Sequence, residues 1–178
     1  MEIWTMDNII AVTRAILQTT PLHWHHLTQS LPVALLTTPA APGEWSALEC
    51  LQHLVDAELG VFPVRVKAIM AGQDFPAFDP DSQGSRPSAS HSPADLAAEF
   101  ARLRTESLIA LEEVSPADLT RQARHQELGL VSLSHLLHAW AGHDLMHTVQ
   151  AERALMQPFI QGCGPWQVYF QDHIVGGR

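Results

Sequence analysis

Eleven histidines stand in a chain of 178 residues that has only ten lysines and arginines together. Two of them, His143 and His147, sit four residues apart in the stretch His143-Asp144-Leu145-Met146-His147. On a helix that spacing puts both imidazoles on one face, about one turn apart, so both can reach a single ion. A helical wheel at roughly 100° per residue, with Leu136 at zero, sets His143 at about 340° and His147 at about 20°. Leu133, Trp140, Ala151 and Ala154 share that side, so both rings point into the apolar face, and Gln150 joins them. Two unpaired imidazoles in a core would each cost about 1–3 kcal/mol. A shared metal satisfies both, and a hydrogen bond from each ring to a neighbouring helix is the plainer alternative. The stretch is not a zincin motif, because Asp144 replaces the glutamate that would act as base and the wheel turns it away from the histidines.

A metal site inside a helical bundle draws ligands from facing helices, so a third should come from elsewhere in the chain. His53 is the histidine well inside the second helical region, but it lies off the main apolar stripe of Leu48, Leu51, Val55, Leu59, Phe62 and Val66. It shares a second face with Ser46, Cys50, Ala57, Gly60 and Val64, small side chains that permit close approach. The wheel alone does not single it out. His23, His25 and His26 flank Trp24 on the first helix, where one ring can turn inward. His135 and His138 lie away from the ligand face, and His91, His125 and His173 fall in loops or the tail. Cys50 reads as packing, and Cys163 has no basic neighbour to activate it.

Four helical regions must position these residues. The first spans about Asn8 to Leu36, with Asp7 as its cap and a break expected at Thr20-Pro21, where Thr20 would cap a second piece. The second starts at Ser46, which forms a capping box with Glu49, and runs to about Met70 with Pro63 kinking or splitting it. Gln73 to Ser92 is a long irregular stretch. The third begins at Ser92-Pro93 and ends at Ser115-Pro116. A turn-rich link, Ala117 to Val131, precedes the fourth, Ser132 to about Met156, which Pro158 should close. A short fifth helix is expected around Trp166 to His173. The strand signal is poor, and the pattern predicts one all-α domain over residues 1–178, a four-helix bundle.

Composition narrows the function. Hydrophobic residues are 46% and charged residues 16%, a globular balance. A net charge of −9 opposes both phosphate-backbone binding and a polybasic membrane role, so no nucleic acid and no membrane partner is expected. No run approaches the roughly 20 apolar residues of a membrane span. With no leader-like N-terminus and two cysteines, too few for a disulfide framework, the expected location is cytoplasmic.

Several motifs in order resemble the DinB/YfiT-like superfamily of metal-dependent helical-bundle proteins. They are Gly43-Glu44-Trp45-Ser46 with Glu49, Leu51, His53-Leu54, Asp56 and Glu58; then Ala71-Gly72-Gln73-Asp74 and Phe78-Asp79-Pro80-Asp81; then Glu127-Leu128-Gly129 with Leu133, Leu136 and Leu137, leading to His143 through His147 and Gln150. The resemblance implies up-down-down-up connectivity, with the long loop after the second helix as the crossover. It implies a metal on three histidines, which map to His53, His143 and His147, and a common tendency to homodimers. Relatives in that superfamily include transferases that use bacillithiol or similar low-molecular-weight thiols, and more distantly a mycothiol-dependent maleylpyruvate isomerase.

Three imidazoles leave at least one coordination position open, the catalytic rather than the structural pattern. Such ligands suit Zn, Ni, Fe or Cu. An open divalent ion holds a thiol as thiolate or lowers the pKa of water. The leading expectation is therefore thiol transfer to a small electrophile, with metal-assisted hydrolysis and a non-catalytic dimeric binding module as alternatives. Glu49 and Asp56 flank His53 and are candidates to orient its ring, and Gln150 is a candidate to bond a metal-bound ligand.

Overall fold

The computed structural model describes residues 6–77 and 92–176. The helices are α1 (Met6–Ser30), α2 (Val33–Thr37), α3 (Ala47–Gly60), α4 (Phe62–Ala71), α5 (Pro93–Ala110) and α6 (Leu133–Gly162). Capping boxes start three of the long ones: Ser46 with Glu49, Ser92 with Asp95, and Ser132 with His135. In each, a side chain from the third helical residue reaches back to the cap backbone and satisfies an end that would otherwise lack partners.

Side-chain contacts give the direction of each helix. Thr13 donates to the carbonyl of Leu137 and Thr20 donates to Asp144, so α1 and α6 run parallel. Arg14 pairs with Glu112 and Thr20 accepts from Arg104, so α5 opposes α1. His53 meets His143 while Glu58 meets Trp140, so α3 opposes α6. The order is up, down, down, up, with α4 carrying on from α3. Helices α1 and α3 each pack on both α5 and α6. The crossover therefore joins α4 to α5. Its motif Phe78-Asp79-Pro80-Asp81 and His91 lie outside the described residues, and Asp7 stands within α1 rather than capping a helix that starts at Asn8.

Three local expectations need correction. Helix α1 runs unbroken through Pro21. A proline withholds the N–H that would bond the carbonyl four residues back. Here that carbonyl, Leu17, accepts from Arg104 Nη1 at 3.1 Å instead. Thr20 is consequently not a cap; its hydroxyl faces the interior. Helix α6 likewise continues through Pro158 to Gly162, because Ile160 is buried and Gln157 is tied to the tail at His173 and Val175. The link before α6 contains an antiparallel hairpin, β1 (Gln122–His125) and β2 (Gly129–Ser132), with Gly129 at φ 74 closing its turn. Phe75 bridges to His125 beside it. The short helix expected around Trp166 to His173 is present as a 3-10 helix, Gly164–His173. Pro63 does act as expected: it starts α4, and Val61 at φ −119, ψ −82 breaks α3 from α4.

The apolar core is in two parts. One cluster holds Leu17, Ala57, Phe62, Leu111, Leu137 and Trp140; the other holds Trp24, Leu51, Leu54, Phe100, Ala151 and Leu155. Between them every bundle helix contributes polar residues: Thr20 from α1, Glu58 from α3, Arg104 and Ser107 from α5, Asp144 and His147 from α6, all buried.

Candidate metal centre

Helices α3 and α6 bring three histidines from distant parts of the chain to one end of that polar layer. Their ring nitrogens lie within 4.8 Å of one another. His53 Nε2 and His143 Nε2 are 3.0 Å apart. With metal–nitrogen bonds of about 2.0–2.1 Å, two ligands at a right angle stand about 2.9 Å apart, and two at a tetrahedral angle about 3.3 Å. The spacing therefore lets one ion take both nitrogens. The His147 ring centroid is 4.5 Å from that of His53 and 4.4 Å from that of His143.

Protonation favours the same use. Burial, the two neighbouring rings and the Arg104 cation push His143 down to about 3. Burial and His53 push His147 down to about 4, against the pull of Gln150 and Asp144. Burial lowers His53 as well, with Asp56 opposing. Neutral imidazoles with free lone pairs are what a metal requires. His147 Nδ1 lies 2.9 Å from Gln150 Oε1. With the amide oxygen as acceptor, Nδ1 carries the proton and Nε2 is left to coordinate. Gln150 thus orients a ring on its own helix, not the external ligand expected from the sequence. Glu49 is spent in the cap of α3, where Oε2 accepts from both the backbone N–H and the hydroxyl of Ser46. Asp56 is buried and acts on His53 through its charge. His143 Nδ1 is buried without a hydrogen-bond partner, a second unmet demand at the site.

Trp45 walls the site. Its ring stacks on His147, at 5.7 Å between centroids and 16° between planes, and lies 5.1 Å from His53. Trp45 and Gln150 also line an open cleft of about 1030 Å³, with Met146, Arg153, Asp172 and Ile174. The tail forms the far wall, and Gly176 makes it possible: a Cβ there would sit 2.8 Å from that of Ala41. No thiol of the protein reaches the site. Burial pushes Cys50 up to about 12, and Cys163 donates to the Ile160 carbonyl.

Among the described residues, the other histidines have structural tasks or face solvent. His125 Nδ1 accepts from the N–H groups of Glu127 and Leu128, holding the hairpin turn. His135 accepts from the Ser132 N–H, and His138 Nδ1 approaches the Ser134 carbonyl at 2.8 Å. His23 lies 3.3 Å from Glu152; His25, His26 and His173 are exposed.

Beneath the histidines lies a buried polar cluster centred on Arg104, a residue that no motif in the sequence singles out. Arg104 Nη1 and Nη2 grip both oxygens of Asp144, at 2.7 and 3.0 Å. Its Nε donates to Glu58 Oε1 at 3.0 Å, and that oxygen also accepts from Trp140. Ser107 donates to Glu58 Oε2 at 2.6 Å, and Thr20 donates to Asp144 at 2.6 Å. Burial works against the Arg104 cation, but Asp144 and Glu58 more than offset it and hold its pKa above the ordinary value. Burial raises Glu58, in spite of Arg104.

The model of the DinB superfamily matches residues 16–151, which include all three histidines. The chain belongs to the DinB superfamily. Its bundle is similar to that of YfiT from Bacillus subtilis, described as a probable metal-dependent hydrolase with an unusual four-helix bundle topology. The two chains share 17% identity at a TM-score of 0.70, over 84% of this chain and 87% of that one. No curated protein matches the chain significantly. In this DinB-superfamily bundle, no described helix is long and apolar enough to cross a membrane.

Proposed function

We propose that the protein is a divalent-metal-dependent hydrolase of a small molecule, with His53, His143 and His147 as the metal ligands. The observation that carries this reading is the convergence of three neutral, buried or half-buried imidazole rings. A bound ion would supply Lewis acidity and a water of lowered pKa. The chain does the rest. Gln150 fixes the His147 tautomer, and Trp45 covers the rings on one side and lines the neighbouring cleft. The name of the YfiT relative supports hydrolysis as the reaction.

A second reading rests on the resemblance to thiol-transferring relatives. In that case a low-molecular-weight thiol replaces water as the nucleophile, and it must come from outside, since neither cysteine reaches the site. A homodimer is part of the proposal on family resemblance alone.

Protein loaded with zinc, nickel or iron is mixed with 4-nitrophenyl esters, and separately with glutathione or bacillithiol plus monochlorobimane. Chelator-sensitive release of nitrophenol supports hydrolysis. Chelator-sensitive conjugation without ester cleavage supports thiol transfer. Neither activity from fully loaded protein overturns both.

A further inference from the structure

We propose that Arg104 is a positioning residue for the metal centre, although it lies on α5, which contributes no histidine. The proposal rests on the metal reading above and extends it to the residues that hold α3 and α6 in register. Asp144 follows His143 directly, so whatever fixes Asp144 fixes the turn that carries both α6 ligands. Glu58 lies five residues after His53, about 7.5 Å along α3 at 1.5 Å per residue. Arg104 joins the two: a fork on Asp144 and Nε on Glu58. Trp140 of α6 closes the triangle through Glu58, and the Leu17 carbonyl and Thr20 tie in α1. Arg104 and both carboxylates are almost wholly buried, at 1% side-chain exposure.

Stability alone does not account for such a cluster. Buried ion triads often contribute no more than well-packed apolar residues of the same volume, whereas breaking one by removing a single member is costly. Register does account for it. Apolar ridges can slide along one another, and a slip of one turn is about 5.4 Å. Metal ligands tolerate errors of only about 0.2 Å. A two-pronged guanidinium–carboxylate pair has no equivalent position one turn away.

The test replaces the whole cluster, because Arg104→Met alone strands two buried carboxylates. The triple variant Glu58→Leu/Arg104→Met/Asp144→Leu is compared with Arg104→Lys, which keeps the charge and loses the fork, and with the wild type. Circular dichroism reports folding, competition with a chromophoric chelator reports zinc affinity, and cobalt absorption reports ligand geometry. Metal-free crystal structures report the 3.0 Å separation of His53 Nε2 and His143 Nε2. Both variants should stay helical. Zinc should bind at least tenfold more weakly to the triple variant and severalfold more weakly to Arg104→Lys, with an altered cobalt spectrum. The nitrogen separation should lengthen by about 1 Å or more in the triple variant. If the triple variant fails to fold, the Arg104→Lys result decides. Folded variants with unchanged affinity, spectrum and separation overturn the proposal. A wild type that binds no metal, together with a separation that still lengthens, would leave Arg104 as the positioning residue and overturn the metal reading alone.

Discussion

Acid should destabilise the metal-free protein, and the sign follows from the buried rings. An unfolded histidine titrates near 6.5, while in the fold His143 is held at about 3 and His147 at about 4. Above the unfolded value neither state carries these protons, so the two rings make no difference to stability. Below it the unfolded chain takes up protons that the native rings refuse, and stability falls with each step of acidification. The slope is about 1.4 kcal/mol per ring per pH unit. From about pH 6.5 to about pH 5, two rings together remove at most roughly 4 kcal/mol, a large part of a typical 5–15 kcal/mol. Glu58 acts with the opposite sign, since its carboxyl is raised in the fold. His147→Ala isolates the rings from it, because the variant should lose a clear part of the pH slope, leaving that of His143 and His53. The assay is urea denaturation in excess chelator at several pH values, with m held constant as the check on two-state behaviour. A metal-free wild type as stable at pH 5 as at pH 7.5, or a His147→Ala slope equal to the wild-type slope, would refute the reasoning.

Gln150→Leu removes the acceptor of the His147 Nδ1 proton. It should weaken zinc binding by about 10–100-fold in chelator competition while leaving the helical content unchanged. Ser46→Ala breaks the capping box of α3 and should cost about 1 kcal/mol, seen as a melting point lower by roughly 2–4 °C. Arg104→Met by itself should cost about 3–5 kcal/mol in denaturation experiments, because it leaves Glu58 and Asp144 buried without their cation.

The all-helical architecture was readable because its punctuation is local. The Ser46–Glu49 box, the helix start at Ser92-Pro93 and the break at Pro63 all appear where their residues place them. Pro21 and Pro158 mislead for the opposite reason: contacts from distant parts of the chain hold the helix across each of them. Arg104, 87 residues beyond Leu17, supplies the contact at Pro21, and no local window contains it. The hairpin escapes a search for Asn-Gly turns because its turn is the three residues Gln126-Glu127-Leu128, closed by Gly129, and its strands have four residues each.

At the site, the spacing of His143 and His147 was enough to bring both rings to one face. His53 needed family resemblance, since it lies off the main stripe of α3. The buried triad had a signal that went unused. Glu58 is seven residues beyond Leu51, Arg104 four beyond Phe100, and Asp144 four beyond Trp140, so each charge occupies a core-facing position. Opposite charges at core positions on three helices call for one another. The wheel of α6 instead set Asp144 aside for pointing away from the histidines, as it does, into the cluster beneath them.

Metal stoichiometry and affinity of the purified chain bear most directly on the central claim. Wild-type protein, stripped and reloaded, should hold one divalent ion per chain. His53→Ala, His143→Ala and His147→Ala should each abolish that binding while circular dichroism shows the bundle intact. A wild type that takes up no zinc, nickel or iron, or a His53→Ala variant that binds as tightly as wild type, would contradict the account.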